Sequence, residues 1–306
     1  MNQDQYKSVH NWIYRNARPL DLARWQYHFE GGSKEAVVNC LTAYQNVDGG
    51  FGHALEADAW NPNSSPIQTF HALEILREIG FTDREHKLVQ GILSYLSSGK
   101  DMEGDVWFDN IPSNNEYPHA PWWQVGSESL SHDRFNPTAG LAGFVLCYGE
   151  KDCRRYEQCL QIAKDGLAYL LQTKTINMHV LMCFIAMLEY CEQAELTDSI
   201  DLVVLKHRLG ELVRETITMD TDSWATSYVC KPSNFLNSPD SPFFSEIKEV
   251  AEFEADFIEN NRNHEGVWEV TWGWGNYPDE WAISKTWWKG HIAIKNMLYL
   301  KNFNKI

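Results

Sequence analysis

Apolar residues recur along most of this chain at intervals of three and four, with polar residues between them, which puts the apolar side chains on one stripe of a helix. Val37, Leu41 and Tyr44 form such a stripe after Ser33, which is placed to cap, and Glu35 falls in the first turn where the helix dipole favours negative charge. The stretch from Asn63 to Gly80 has Ser65 as cap, Pro66 at the first helical position, Phe70, Leu73 and Leu76 as stripe, and Gly80 as stop. Thr82-Asp83-Arg84-Glu85 reads as a capping box opening a helix that closes near Gly99. Helices are also expected over Asp4 to Asn16, Asp21 to Glu30, Arg154 to Gln172, Ile200 to Thr216, Phe243 to Asn260 and Thr286 to Leu300. That makes about a dozen, and no alternating run bounded by hairpin turns competes with them.

Two segments differ in kind. NPTAGLAGFVLCYG, from Asn136, carries small residues at Ala139, Gly140, Ala142 and Gly143, which let neighbouring backbones approach. INMHVLMCFIAMLEYC, from Ile176, is apolar almost all round. A helix without a polar face has to be enclosed by others, so both are expected in an inner layer.

The helices are punctuated by a recurring corner. Asp48-Gly49-Gly50-Phe51 is echoed by Glu265-Gly266-Val267-Trp268, more loosely by Glu103-Gly104-Asp105-Val106-Trp107, and most loosely by Asp222-Ser223-Trp224. The acid can hydrogen-bond turn amides, glycine supplies a positive φ, and the ring packs back on the helix end. Each helix pair has a face it cannot bury alone, and stacking pairs in a ring buries those faces.

Composition narrows the setting. Forty-two acidic against 26 basic residues give a formal charge of −16, which repels phosphate backbones and anionic headgroups and argues against nucleic acid. The longest strongly apolar run, Val180 to Leu188, is too short to cross a bilayer. The amino terminus, MNQDQYKSVHNWIYRN, lacks the pattern of a secretory signal, so a cytoplasmic protein is expected. Seven cysteines without a CxxC, mostly in apolar helical patterns, read as buried thiols in a reducing compartment.

QNVDGGFG at 45–52, followed by PIQTFHALEILREIG at 66–80, resembles the QxxDGGFG turn of protein prenyltransferase β-subunit repeats and the QW repeats of squalene and oxidosqualene cyclases. The closing segment HEGVWEVTWGWGNYPDEWAISKTWWKGHIAIKNMLYL, at 264–300, reads as a repeat of the same kind. The resemblance to the terpenoid cyclase and protein prenyltransferase family implies an all-α fold, an α/α toroid: one domain over 1–306, a double-layered helical ring around a cavity. It also implies an isoprenoid or similar apolar ligand. The chain departs from the family at its metal: no DxC followed by a YHT-type sequence is present, and His179 has only Cys183 near it on its helix. The DxDD acid of protonating cyclases is matched at three of four positions by Asp220-Thr221-Asp222-Ser223. The resemblance implies Asp222 as proton donor beside Asp220, with Trp224 as a neighbouring ligand contact, while a solvated cap explains the same residues in so acidic a chain.

Six of the thirteen tryptophans lie between Trp268 and Trp288. Trp268 reads as a corner anchor; Trp272, Trp274, Trp281, Trp287 and Trp288 are candidates to line a cavity, where indoles suit a carbocation, an isoprenoid tail or a sugar face. His53, Glu56, Asp58 and Trp60 precede the Pro66 helix, and Asp279 and Glu280 precede the segment with Lys289 and His291. A pair of carboxylates from Glu56, Asp58 and Glu280 suits glycoside hydrolysis. No cofactor is called for, although His53, Glu56 and Asp58 offer the donors for a divalent cation. The irregular stretch 109–135, with Trp122 and Trp123, is a candidate lid. Three functions follow: a toroid binding or converting an apolar ligand, a noncatalytic binding or scaffold protein, and a carbohydrate-active enzyme.

Overall fold

The computed structural model describes residues 1–126 and 133–306, so residues 127–132 of the expected lid lie outside the described residues. The described residues form eleven α-helices: α1 (Gln3–Asn16), α2 (Pro19–Phe29), α3 (Lys34–Leu41), α4 (Pro66–Glu78), α5 (Lys87–Ser98), α6 (Thr138–Tyr148), α7 (Arg154–Gln172), α8 (Met178–Gln193), α9 (Leu202–Thr216), α10 (Phe244–Asn260) and α11 (Pro278–Asn302). The only sheet among them is a ribbon of two-residue strands, β1 (Met102–Glu103) and β2 (Val106–Trp107). The fold is therefore all-α. The helices fall into two compact units, one made of Met1–Ala43 with Ile217–Ile306 and one of Tyr44–Thr216.

In the Tyr44–Thr216 unit, α6 is the inner helix. Ten of its eleven residues are buried, and α4, α5, α7 and α8 all pack on it. The small residues explain the closeness. A Cβ on Gly140 would lie 2.2 Å from the Phe70 ring of α4, and one on Gly143 would lie 2.7 Å from the Met187 Cα of α8. The apolar α8 is enclosed in turn by α6 and α9, as a helix without a polar face requires.

In the other unit, α11 packs on α1, α2 and α10. The two chain ends meet there: the Met1 ammonium donates to the Lys305 carbonyl at 2.5 Å and pairs with Glu259 at 2.5 Å. Trp25, Trp224 and Tyr299 fill this core, with Tyr299 donating to the Ala251 carbonyl at 3.0 Å.

Most helix boundaries follow the local signals. Ser33 Oγ and Ser65 Oγ accept from the N–H groups of Ala36 and Gln68, and Gly80 and Gly99 take positive φ at the ends of α4 and α5. Two starts differ from expectation. The Thr82 capping box does not form: Asp83 turns its carboxylate onto the Glu85 N–H, His86 Nδ1 accepts from Leu88 N–H, and α5 begins at Lys87. Helix α11 begins at Pro278 rather than Thr286, with proline preset for the first turn and Asp279 and Glu280 favourable to its dipole.

The two sharper corners have one geometry. In the first, Asn46 N–H donates to the Gly50 carbonyl at 2.8 Å and Gly49 N–H to the Asn46 carbonyl at 2.9 Å, with Gly49 at φ +89°. In the second, Asn263 N–H donates to the Val267 carbonyl at 2.6 Å and Gly266 N–H to the Asn263 carbonyl at 3.0 Å, with Gly266 at φ +85°. The aromatic residues that follow, Phe51 and Trp268, are buried in both. The looser echoes are different objects: Glu103–Trp107 is the β1–β2 hairpin, and Thr221–Ala225 is a short 3-10 turn.

The glycines at these corners separate strain from contact. A Cβ on Gly49 would meet the Gly91 carbonyl oxygen at 1.9 Å and one on Gly266 the Ser8 Oγ at 2.1 Å, whereas Gly104, also at positive φ, has open space. Gly49→Ala is expected to cost more than about 2 kcal/mol in urea unfolding, because backbone must shift. Gly104→Ala is expected to cost about 1 kcal/mol, from the φ penalty alone. Equal losses would contradict this account of the corner.

Candidate functional site

Each unit carries a concentration of the candidate side chains. In the unit built from the two chain ends it starts at α2. Pro19 opens the helix, Leu20, Ala23 and Trp25 bury its apolar face, and Arg18, Asp21 and Arg24 are buried alongside them. Arg18 Nε and Arg24 Nη1 each stand 2.8 Å from an Asp21 oxygen. Burial opposes the Asp21 charge, but the two guanidiniums outweigh it and hold the carboxyl below its ordinary range.

From this triad an aromatic series leads through His291 and Trp288 of α11 to Trp272 and Tyr228 outside it. Arg24 Nη1 is 3.2 Å from His291 Nδ1; a guanidinium can only donate, so Nδ1 accepts and the imidazole proton sits on Nε2. Trp288 meets the His291 ring edge-on at 5.4 Å, Trp272 meets Trp288 at 5.2 Å, and Tyr228 meets Trp272 at 5.2 Å. Arg18 Cζ lies 5.4 Å over the Trp287 ring, within cation–π range. Trp272, Trp287 and Trp288 are half-buried.

The other candidates of this unit have structural surroundings. Trp224 is buried, donates from Nε1 to the Thr218 carbonyl at 2.9 Å and meets Phe253 and Phe257 edge-on, so it belongs to the core. Trp274 is buried at 5.5 Å from Trp281. Trp268 donates to the Ile258 carbonyl, as a corner anchor would. The Lys289 ammonium is 2.5 Å from Glu265, the corner acid, and 3.3 Å from Glu269. Asp220 and Asp222 are both exposed on their 3-10 turn. A carboxyl kept protonated for acid catalysis needs enclosure, and at these two positions the structure shows a solvated turn instead. Glu280 is half-buried in the first turn of α11.

In the Tyr44–Thr216 unit the concentration is the loop between the first corner and α4. Glu56 and Asp58 are buried there. Gln68 of α4 clamps the loop: its Oε1 accepts from Glu56 N–H at 2.8 Å and its Nε2 donates to the Ala59 carbonyl at 2.9 Å. Asp58 N–H donates to Glu56 Oε2 at 3.1 Å. The described part of the 109–135 stretch is laced to this loop. Trp60 N–H donates to the Pro118 carbonyl, Ala120 N–H to the Asp58 carbonyl, and Asn61 Nδ2 to Ser113 Oγ and Asn114 Oδ1. Asp109, Asn110, Asn114 and His119 are buried with them. Trp60 and Trp123 are half-buried and Trp122 is exposed. His53 is exposed, its Nε2 2.9 Å from Asn46 Oδ1. It does not join Glu56 and Asp58 as a cation site: among the described residues no three His, Cys, Asp or Glu side chains come together as metal ligands would.

Sequence reasoning passed over the Arg18–Asp21–Arg24 triad and the Asn61–Asn114 pairing. The first had a signal, since charges at three-residue spacing share the apolar face of a short helix. The second had none, because those asparagines are far apart in the chain and ordinary for loops.

Burial opposes ionisation of Glu269, but hydrogen bonds from Lys285, Asn263 and Lys289 outweigh it and hold the carboxyl down from 4.5 to about 2. A carboxyl lowered on folding stabilises the fold above its unfolded value and loses that contribution as pH falls toward the folded one. Glu269→Gln is therefore expected to unfold more easily than the wild type at neutral pH, with the gap closing between pH 4.5 and about 2 in pH-dependent urea titrations. A gap independent of pH would contradict the ion-pair origin.

Among the described residues no helix is long and apolar enough to cross a membrane. Comparison with family models, with curated proteins and with solved structures finds no match to this chain, which leaves the geometry of its own side chains to suggest a function.

Proposed function

We propose that this chain is a ligand-binding helical-repeat protein of the α/α toroid kind, which holds an isoprenoid or similarly apolar ligand against Trp272, Trp287 and Trp288. The observation that carries the reading is the edge-to-face series of half-buried indoles beside the buried arginines. Rings held at fixed angles by their neighbours present flat apolar faces at little entropic cost. The shared geometry of the corners at Asn46 and Asn263 supports a repeat architecture of stacked helix pairs. Binding is the core of the proposal; the exposed Asp220 and Asp222 give no support to protonation of an alkene.

A second reading has its own observation. Glu56 and Asp58 are buried carboxylic side chains beside an amide-rich loop, a combination that suits a glycan with its many hydroxyls. The two separate in a thermal-shift series on the full chain with polyprenyl alcohols, polyprenyl phosphates and oligosaccharides. The apolar reading expects saturable stabilisation by the alcohols as well as the phosphates, weakened about tenfold in Trp288→Ala. The glycan reading expects stabilisation by oligosaccharides alone, lost in Glu56→Gln. Stabilisation by no member of the series would remove both.

A further inference from the structure

A cavity of about 150 Å³ lies within the Tyr44–Thr216 unit, at the last turns of α4, α6 and α8. Its walls are apolar at Leu76, Phe81, Val89 and Phe144, and two phenols, Tyr148 and Tyr190, complete them. The Tyr190 ring is held in place. It meets Phe144 edge-on at 5.7 Å and Tyr148 at 6.1 Å, and Arg77 Cζ lies over it at 5.8 Å. Its root abuts Gly143 of α6, where an added Cβ would lie 3.3 Å from the Tyr190 Cβ.

Tyr190 is only 3% exposed, yet its hydroxyl has no hydrogen-bond partner among the described residues. Nor is it sealed in: the enclosed side-chain atoms without a partner are on Trp107, Trp123 and Arg155. A hydroxyl of a buried residue that is neither bonded nor enclosed opens on the cavity its ring helps to line. Tyr148, 6% exposed, accepts from Gln193 Nε2 at 3.1 Å, and its own proton has no acceptor among the described residues. Burial raises both phenols above their ordinary range, so each keeps its proton at neutral pH. Two O–H donors therefore share one small space without an acceptor.

Such donors are costly until an acceptor reaches them, and charge decides which acceptor fits. Arg77 Nε and Nη2 both donate to Glu189 Oε2, so the guanidinium beside the cavity is already matched. An anion would face Glu189 and the negative ends of three helices. A neutral carbonyl oxygen meets neither penalty. Size limits the rest of the molecule, because an apolar cavity of about 150 Å³ admits benzene, a ring of about six carbons.

We propose that this cavity binds a small neutral carbonyl compound of cyclic-ketone size, its oxygen accepting from the Tyr190 and Tyr148 hydroxyls and its ring lying among Leu76, Phe81, Val89 and Phe144. The site uses none of the residues of the apolar-ligand or glycan readings and stands without either.

The test is a ligand-observed NMR titration of the full chain with cyclohexanone, benzene and cyclohexanecarboxylate. Saturable binding of cyclohexanone is expected, about tenfold tighter than benzene, with the carboxylate weaker than the ketone. Tyr190→Phe removes one oxygen and the unmet donor with it, so it should keep the fold by circular dichroism, bring cyclohexanone to the level of benzene and leave benzene unchanged. Absence of saturable cyclohexanone binding, or binding unchanged in Tyr190→Phe, would overturn the site. Equal affinity of the wild type for benzene would overturn the role of the hydroxyls without recourse to the variant, and tighter binding of the carboxylate would overturn the choice of a neutral ligand.

Discussion

The chain reverses at its sharper corners by letting side chains of the turn itself accept from backbone amides that the reversal leaves without partners. At Asn263, Oδ1 accepts from the N–H groups of Glu265 and Val267. At Asn46 the amide reaches outward, donating to the Pro62 carbonyl and Ser64 Oγ, while Asp48 Oδ1 takes the Gly50 N–H. A turn amide left without an acceptor costs about 1–3 kcal/mol once buried, and at the first corner Gly49 and Gly50 are buried. With the amides satisfied, glycine can bring backbone against backbone, as Gly49 does against Gly91, and the following ring is delivered into the core. The corner thereby fixes where the next helix starts, and with it the loop of Glu56 and Asp58 in one unit and the indole series in the other.

What could be read in the sequence was the physics that acts within a few residues. Ser33, Ser65, Gly80 and Gly99 mark helix ends because a hydroxyl or a positive φ serves the amides or carbonyls next to it. The enclosure of α6 and α8 was legible for a related reason, since a helix with no polar face carries its environment in its composition. The start of α5 was not legible: Asp83 Oδ1 takes the Glu85 N–H that the Thr82 hydroxyl would accept from in a capping box. Tryptophan roles were illegible for a different reason. Trp224 in the core, Trp268 at a corner and Trp288 half-accessible are the same side chain, and only the partners of their rings and N–H groups tell them apart.

Carboxylates obey the same distinction. The resemblance to a DxDD motif singles out Asp220 and Asp222, yet both are exposed on their turn. The enclosed carboxyls are elsewhere. Asp21 is enclosed but lies between two guanidiniums that keep it ionised, so it serves to hold Arg18 and Arg24 in place rather than to give up a proton. Glu254 is the opposite case. Burial pushes its carboxyl up, only partly offset by hydrogen bonds from the Ser233 hydroxyl and N–H and by Lys231, and those bonds tie it to the turn before α10. A proton donor needs burial without such ties and an open path to its substrate. Spacing in the chain cannot report either condition, and a DxD triplet exposed on a turn lacks the burial.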